Sequence, residues 1–189
     1  MASPREVMHL TVSYLENSMR LVPALCGLAA LAFAQSAAAV TVSPISFSPE
    51  FETELSEDLG EREGAILRED VERAVANALA ARGVSAASGS DSIEITIVDA
   101  QPNRPTLEQL SDRPGLDYIR SISIGGAELR AVIRGASGDV VAEVEHRRYN
   151  SSLDEFNGFA PAGTWSEARR AIRRFAEKVA DAYVAHSGQ

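Results

Sequence analysis

The sequence predicts an α+β fold: a two-layer sandwich in which an antiparallel sheet of about four strands packs against two main helices. Two segments, residues 65–82 and 164–183, repeat apolar residues at three- and four-residue steps, as helices with one buried face do. Between them, apolar and polar residues alternate with the period of strands that have one buried face. With 45% hydrophobic and 24% charged residues, the chain has the composition of a globular domain.

The first predicted strand covers residues 40–47, where apolar and polar residues alternate. Pro44 cannot donate a backbone hydrogen bond, so we expect this strand to lie at an edge or to carry a bulge. An acidic, turn-rich stretch follows up to Gly64. We expect this stretch to form a loop.

The first predicted helix covers residues 65–82, and Gly83 is expected to end it in a left-handed conformation. Residues 85–90 are all small, and we expect them to form a linker. The apolar stripe of the helix comprises Leu67, Val71, Ala74, Val75, Ala78 and Leu79.

Three strands are predicted next. Ile93, Ile95 and Ile97 alternate with polar residues, and a second alternation begins at Ile122 and is interrupted by the pair Gly125-Gly126, which predicts a bulge or bend within a strand. The last two strands are predicted to form a hairpin around residues 135–138, with Arg134 opposite Asp139. The register then places Ile133 opposite Val140, Leu129 opposite Val144 and Arg130 opposite Glu143.

The last helix is predicted to begin with a capping box. Thr164 would be the N-cap and Glu167 would return the hydrogen bond from the third helical position. One face of this helix is apolar, and four arginines fall on the opposite face, where we expect water to solvate them. These arginines are Arg169, Arg170, Arg173 and Arg174.

The amino-terminal part of the chain predicts export. Residues 19–39 have the form of a cleavable signal peptide: Arg20, an apolar run over residues 21–34, and small residues up to Ala39. This run is shorter than the roughly 18 residues that a membrane-spanning helix needs. Residues 1–18 lie upstream of the expected start and are interpreted as an over-extension. Residues 40–189 would then form a single α+β domain without Cys26, the one cysteine of the chain.

A resemblance agrees with this order of elements. The opening Val-Thr-Val-Ser-Pro of residues 40–44, a strand ending at Asp99, and a hairpin around residues 138–141 (Gly-Asp-Val-Val) resemble secreted bacterial families known as domains of unknown function. The resemblance implies a periplasmic or outer-membrane-associated setting. It implies no activity and assigns no functional residues.

The charge and the residue inventory exclude several function classes. A net charge of −9 argues against a nucleic-acid partner, because nucleic acids are bound by dense Lys/Arg surfaces. We expect no metal and no cofactor, because the exported domain would hold no cysteine, two distant histidines and no phosphate-binding glycine loop. His146 is interpreted as structural, although a small hydrolase centred on it is an alternative, with Ser123, Ser151 or Ser152 as the hydroxyl.

Two long loops are the candidate recognition surfaces. Residues 101–117 carry Arg104 and Arg113 among three prolines, and residues 150–163 carry Phe156 and Phe159 outside any periodic element. These four residues are the predicted partner-binding residues. The predicted function is that of a non-catalytic binding or adaptor domain of the cell envelope, with an envelope protein or a cell-wall component as its partner. A small-molecule carrier with a pocket between sheet and helices is a further alternative.

Overall fold

A mixed sheet of six strands forms one layer of the structure, and two long helices cover one of its faces. The computed structural model describes residues 38–150, 152 and 163–187. In chain order the elements are β1 (Ala38–Val42), β2 (Ser46–Phe47), α1 (Pro49–Glu54), a π-helical segment (Leu55–Leu59), α2 (Glu61–Ala80), β3 (Val84–Ala86), β4 (Asp91–Gln101), α3 (Leu107–Asp112), β5 (Gly126–Arg134), β6 (Val140–Tyr149) and α4 (Ser166–Ser187).

The strand order is β3-β1-β4-β5-β6, and β2 also pairs with β4. β4, β5 and β6 are antiparallel, as predicted, whereas β1 runs parallel to both β3 and β4 and makes the sheet mixed. α2 lies between β1 and β3 in the chain. It returns the chain to the end of the sheet at which β1 begins, so β3 and β4 run parallel to β1. The α+β class and the two main helices, α2 and α4, are confirmed.

Pro44 lies in the break between β1 and β2. β1 pairs with β3 only as far as Val40, which lies opposite Ala86. Beyond Val40, β1 is therefore open on the side where β3 has ended. A residue without a backbone N–H is tolerated at such an open position.

The acidic stretch before α2 is helical, so the predicted loop was wrong. The Ser48 hydroxyl accepts a hydrogen bond of 3.1 Å from the backbone N–H of Phe51, and Pro49 occupies the first turn of α1. These are the usual signals for the start of a helix. The apolar residues Phe51, Leu55 and Leu59 of this stretch are buried in the core.

α2 begins at Glu61, earlier than predicted, and Gly83 follows it with a φ of 75°, as expected for a glycine that ends a helix. Part of the predicted linker forms β3. A strand of three residues is too short for its alternation to be read from the sequence.

The glycine pair precedes and opens β5 rather than interrupting a strand, and residues 121–125 are not strand. A Cβ atom on Gly125 would lie 2.4 Å from the side chain of Asn103. On Gly126 it would lie 2.2 Å from the carbonyl oxygen of Arg148. Both positions therefore need glycine because neighbouring groups fill the space of a side chain.

The register of the β5–β6 hairpin differs from the prediction. Arg134 pairs with Val140, and an irregularity follows, so Ile133 lies opposite Ala142 and Leu129 opposite His146. The irregularity makes Val140 48% exposed rather than inward-facing. The prediction failed for two reasons: the turn is one residue longer than predicted, and the extra residue in β6 moves every pair beyond it once more.

The ion pair predicted across the hairpin forms nevertheless, because long side chains reach diagonal neighbours. The guanidinium of Arg130 lies 3.0 Å from the Glu143 carboxylate and 3.6 Å from that of Glu145, its direct neighbour across the strands.

The core lies between the sheet and the pair α2 and α4. It is formed by Leu67, Val71, Val75 and Leu79 of α2, by Ile172, Phe175, Val179 and Tyr183 of α4, and by Ile93, Ile95, Ile97, Leu129, Ala131 and Ile133 of the sheet. Within the described ranges, no helix combines the length and the apolar character needed to cross a membrane.

Candidate functional site

The loop between β4 and β5, residues 102–125, is attached to the amino-terminal end of α4 through Asn103. This side chain is fully buried, and its Oδ1 atom accepts a hydrogen bond of 2.8 Å from the backbone N–H of Glu167. Its Nδ2 atom donates to the carbonyl of Ser123 at 3.3 Å, and its backbone N–H donates to the carbonyl of Thr164 at 2.6 Å. Asn103 therefore joins both ends of the loop to α4.

The same bond corrects the predicted capping box of the last helix. α4 begins at Ser166, after Thr164, and the N–H of Glu167 is bonded to Asn103, which is distant in sequence. The Glu167 side chain instead forms an ion pair with Arg170 at 3.1 Å. A cap supplied by another part of the chain leaves no local sequence signal.

The middle of the loop forms the short helix α3, which has its own capping box. The backbone N–H of Gln109 donates to the Thr106 hydroxyl and the Gln109 side chain accepts from the Thr106 N–H, both at 3.2 Å. The Gln109 Nε2 atom also donates to Asp58 at 2.7 Å, and Arg113 forms an ion pair with the same carboxylate. Asp58 therefore holds α3 against the π-helical segment.

Arg104 holds the second half of the loop. One of its guanidinium nitrogens donates to the carbonyls of Tyr118 at 2.7 Å and Ile119 at 2.9 Å. The guanidinium also lies 5.6 Å from the centre of the Tyr118 ring, a favourable cation–π distance. In addition, Asp117 accepts hydrogen bonds from two backbone N–H groups of the following turn, each at 2.8 Å.

A cavity of about 460 Å³ opens between this loop and the end of α1. Its wall contains both arginines that the sequence predicted as partner-binding residues. The lining residues are Glu54, Gln101, Pro102, Arg104, Pro105, Gln109, Arg113, Leu116, Ser121, Ile122, Ser123 and Ile124. The volume falls within the range of roughly 300–1,000 Å³ that is typical of ligand pockets.

Glu54 contributes a carboxyl group to the cavity that sequence reasoning missed. Burial raises the pKa of this carboxyl above its ordinary value of 4.5, and the negative charges of Asp99 and Asp58 raise it further. Glu54 was missed because it lies in the acidic stretch that was expected to be a loop, in which no single residue was distinguished. The acidic character of that stretch was the only signal.

The loop that walls the cavity also exposes large apolar side chains. Leu107 is 63% exposed, Ile119 is 75% exposed and Tyr118 is 42% exposed. Because contiguous exposed apolar surface marks contact sites, a loop that exposes three such side chains is a candidate partner-binding surface. Elsewhere in the described part of the chain, the large apolar side chains with comparable exposure are Val140 and Val184.

The two predicted aromatic residues of the second loop, Phe156 and Phe159, lie outside the described residues.

His146 lies on β6 and contacts α4. Its Nδ1 atom lies 3.2 Å from the Lys178 ammonium, which can only donate, so Nδ1 accepts and the ring proton is on Nε2. The Nε2 atom is buried and has no hydrogen-bond partner among the described residues. Burial lowers the pKa of His146 below 6.5, and the charges of Lys178, Arg148 and Arg174 lower it further.

These contacts differ from those of a hydrolytic site. A general-base histidine is hydrogen-bonded to a nucleophilic hydroxyl on one side and to a carboxylate on the other. In the described ranges, the one hydrogen bond of the His146 ring joins it to Lys178. The same ranges contain no cluster of three or more His, Cys, Asp or Glu side chains arranged to hold a metal ion.

Comparison with known proteins gives structural neighbours and no sequence relatives. No family model matches the chain, and no curated protein matches it. The PelC dodecamer from Paraburkholderia phytofirmans is similar over 77% of this chain and 85% of that chain, with 13% identity and a TM-score of 0.41. A Xanthomonas campestris protein of the DUF330 family model is similar over 80% and 88%, with 13% identity and a TM-score of 0.42.

A minor lipoprotein from Acinetobacter baumannii is also similar, over 80% of this chain and 95% of that chain, with 12% identity and a TM-score of 0.35. At these identities the likeness concerns the fold alone. The function proposed below therefore depends on the residues of this chain.

Proposed function

We propose that this chain is an exported, non-catalytic binding domain of the bacterial envelope that recognises another envelope protein through the loop of residues 102–125. The observation that carries the proposal is the exposure of three large apolar side chains, Leu107, Tyr118 and Ile119, on the same loop that walls the cavity. The periplasmic location rests on the signal-peptide pattern of residues 19–39.

The loop has the rigidity that a recognition surface benefits from. Asn103 ties it to α4, Asp58 ties α3 to the π-helical segment, and Arg104 closes the turn at residues 118–119. A surface that is already ordered loses less conformational entropy when a partner binds. The hydrogen bonds of Arg104 support the shape of the loop, while Arg113, 56% exposed, stands at the cavity wall where a partner can reach it.

The chemistry of the surface favours a protein partner that inserts an apolar side chain. Aromatic and aliphatic anchors around a pocket are the usual centre of a protein–protein interface. Arg113 could bind a partner carboxylate at the margin while remaining bonded to Asp58, because a guanidinium has five donors. A hydrolase would instead require groups around His146 that the described residues do not place there.

The test compares two double variants, each of which replaces two exposed apolar side chains by serine. Leu107→Ser with Ile119→Ser removes the two most exposed apolar side chains of the loop, and Val140→Ser with Val184→Ser removes two exposed valines elsewhere. A partner is first captured from envelope extract with the unaltered protein and identified, and its affinity for each purified variant is then measured by calorimetry. We expect the loop pair to weaken binding by about 2 kcal/mol or more, which is roughly 30-fold in Kd.

The control pair is expected to bind within about threefold of the unaltered protein, because exposed residues outside an interface contribute little. Circular dichroism checks that all variants are folded. Unchanged binding by the loop pair, or equal weakening by both pairs, would show that the interface lies elsewhere.

A further inference from the structure

A second surface, separate from the loop, concentrates positive charge in an otherwise acidic protein. A cleft of about 290 Å³ lies between β6 and α4 and is lined by Arg148, Arg170, Arg173, Arg174 and Glu177. Arg148 comes from the sheet, and the other four residues come from the helix. The chain as a whole carries 27 acidic and 18 basic residues, so four arginines beside one carboxylate are a marked local excess.

The arginines of this cleft, unlike most on the described surface, are incompletely neutralised. Arg170 pairs with Glu167 and Arg174 with Glu177, each at 3.1 Å. Among the described residues, Arg148 and Arg173 have no carboxylate within 4.0 Å.

The sequence neighbour of Arg148 shows the contrast. Arg147 points to the opposite face of β6, where it pairs with Glu128 at 3.0 Å. Adjacent arginines of one strand therefore differ in whether a carboxylate neutralises them.

Arg148 also lines this cleft, which the sequence pattern did not indicate. The four arginines of α4 taken alone resemble a solvated helix face, and one of them, Arg169, is in fact bonded to the buried Asp70 at 2.8 Å. Arg148 lies opposite Ala127 on β5, on the side of the sheet that α4 covers. It therefore projects into the same cleft as Arg173 and Arg174.

Converging positive groups that are only partly neutralised repel one another, and a bound anion reduces this repulsion. Guanidinium groups from two directions suit a tetrahedral anion with several oxygens, because each planar fork donates two parallel hydrogen bonds. The side chains of Arg170 and Arg174 are 53% and 65% exposed, so a ligand can reach them from water.

We propose that the cleft between β6 and α4 binds the phosphate group of a small phosphorylated molecule, with Arg148 and Arg173 as the principal contacts. A small ligand is favoured over a membrane surface because the net charge of −9 opposes approach to anionic lipid. The volume of the cleft suits a phosphate group and a small attached moiety rather than a larger ligand.

The test uses inorganic pyrophosphate as the probe and calorimetry of the purified protein as the readout. Arg148→Gln with Arg173→Gln removes the two arginines of the cleft that have no carboxylate within 4.0 Å among the described residues. Arg130→Gln with Arg147→Gln removes the same charge from the opposite face of the sheet. We expect the first pair to weaken pyrophosphate binding by about tenfold or more and the second to change it by less than about threefold.

A second readout reports on the cleft itself. Anion binding would offset the charges of Lys178, Arg148 and Arg174 around His146, so the midpoint of the His146 ring titration by NMR should rise when pyrophosphate is added. The Arg148→Gln/Arg173→Gln variant should lose this response and should keep its circular dichroism spectrum.

Three outcomes overturn the proposal. The first is no measurable binding of pyrophosphate, and the second is equal weakening by both double variants, which would indicate an effect of net charge alone. The third is binding to phosphatidylglycerol vesicles, but not to phosphatidylcholine vesicles or to pyrophosphate, which would assign the cleft to a membrane surface.

Discussion

The side-chain oxygen of Asn103 accepts a hydrogen bond of 2.8 Å from the backbone N–H of Glu167, in the first turn of α4. The two residues are 64 positions apart, and both are buried. One side chain thus caps a core helix and fixes the loop that walls the cavity. The shape of the candidate recognition surface is for this reason coupled to the stability of the core.

Asn103→Ala is expected to lower the free energy of unfolding by about 1–3 kcal/mol, because it leaves the buried N–H of Glu167 and the carbonyl of Ser123 without their partner. Urea denaturation followed by circular dichroism measures this loss. Asn77→Ala, at an exposed position of α2, is the control and should change the value by less than about 0.5 kcal/mol. Equal effects of the two substitutions would contradict the capping role.

Glu54→Gln is expected to stabilise the protein at neutral pH. Because the pKa of Glu54 is raised above 4.5 by burial and then by Asp99 and Asp58, the folded protein binds this proton more tightly than the unfolded chain does. The contribution of Glu54 to stability therefore falls as the pH rises through and above 4.5. Urea denaturation at neutral pH and near pH 4 should show a gain for Glu54→Gln that disappears at the lower pH.

The control for Glu54 is Glu52→Gln, which removes a negative charge from an exposed position of the same helix. A gain of the same size for both variants would indicate that the overall negative charge, rather than the environment of Glu54, is responsible. A loss of stability for Glu54→Gln at neutral pH would contradict the prediction.

Acidification is expected to destabilise the protein through His146. The pKa of this ring is lowered below 6.5 by burial and then by Lys178, Arg148 and Arg174, so the unfolded chain binds the proton more tightly than the folded protein. The contribution of His146 is therefore fully present above pH 6.5 and is lost as the pH falls through the folded pKa. NMR titration of the ring should give a midpoint below 6.5, and a midpoint at or above 6.5 would refute the assignment.

A calorimetric comparison extends this test. His146→Gln should lose less stability than the unaltered protein when the pH is lowered from about 8 to about 5, because it has no ring to protonate. His186→Gln removes the histidine in the last turn of α4 and serves as the control. If both variants follow the unaltered protein, His146 does not contribute to the acid response.

The exported protein is expected to begin at Val40, because the small residues Ala37 and Ala39 stand at the two positions that signal peptidases read. Amino-terminal sequencing of the protein from the producing cell measures this directly. Finding Cys26, or any of residues 1–18, in the mature protein would refute it. β1 includes Ala38 and Ala39, so cleavage at this point would leave Val40 as the first residue of β1 and its one pair with β3.

The elements that the sequence predicted well are those whose burial pattern extends over several turns or pairs. α2 and α4 each keep one apolar face over more than four turns, and β4 alternates from Ile93 to Ile97. The register of the hairpin was not predictable in the same way. Val140 and Val141 are both apolar, so either could be placed inward until the turn geometry is known.

The residues of the candidate surfaces also include some that the sequence predicted and some that it did not. Arg104 and Arg113 were predicted from loop length and composition, and both line the cavity. Glu54 and Arg148 were not predicted as parts of a site. Each reaches its site from an element that is distant in sequence, so its neighbours are set by tertiary packing rather than by local pattern.

The position of β1 affects the order in which the protein can fold. The first strand of the described chain lies inside the sheet, where Val40 pairs with Asp91 and Val42 with Ile93. The pairing of β1 with β4 closes the stretch of chain between Val42 and Asp91. This closure costs entropy before any contact is gained, and non-local pairings of this kind form slowly. A polypeptide that emerges from its amino terminus therefore cannot complete the pairing of β1 until residues 91–93 have followed. Until then, β1 lacks the partner strand that it has in the folded protein.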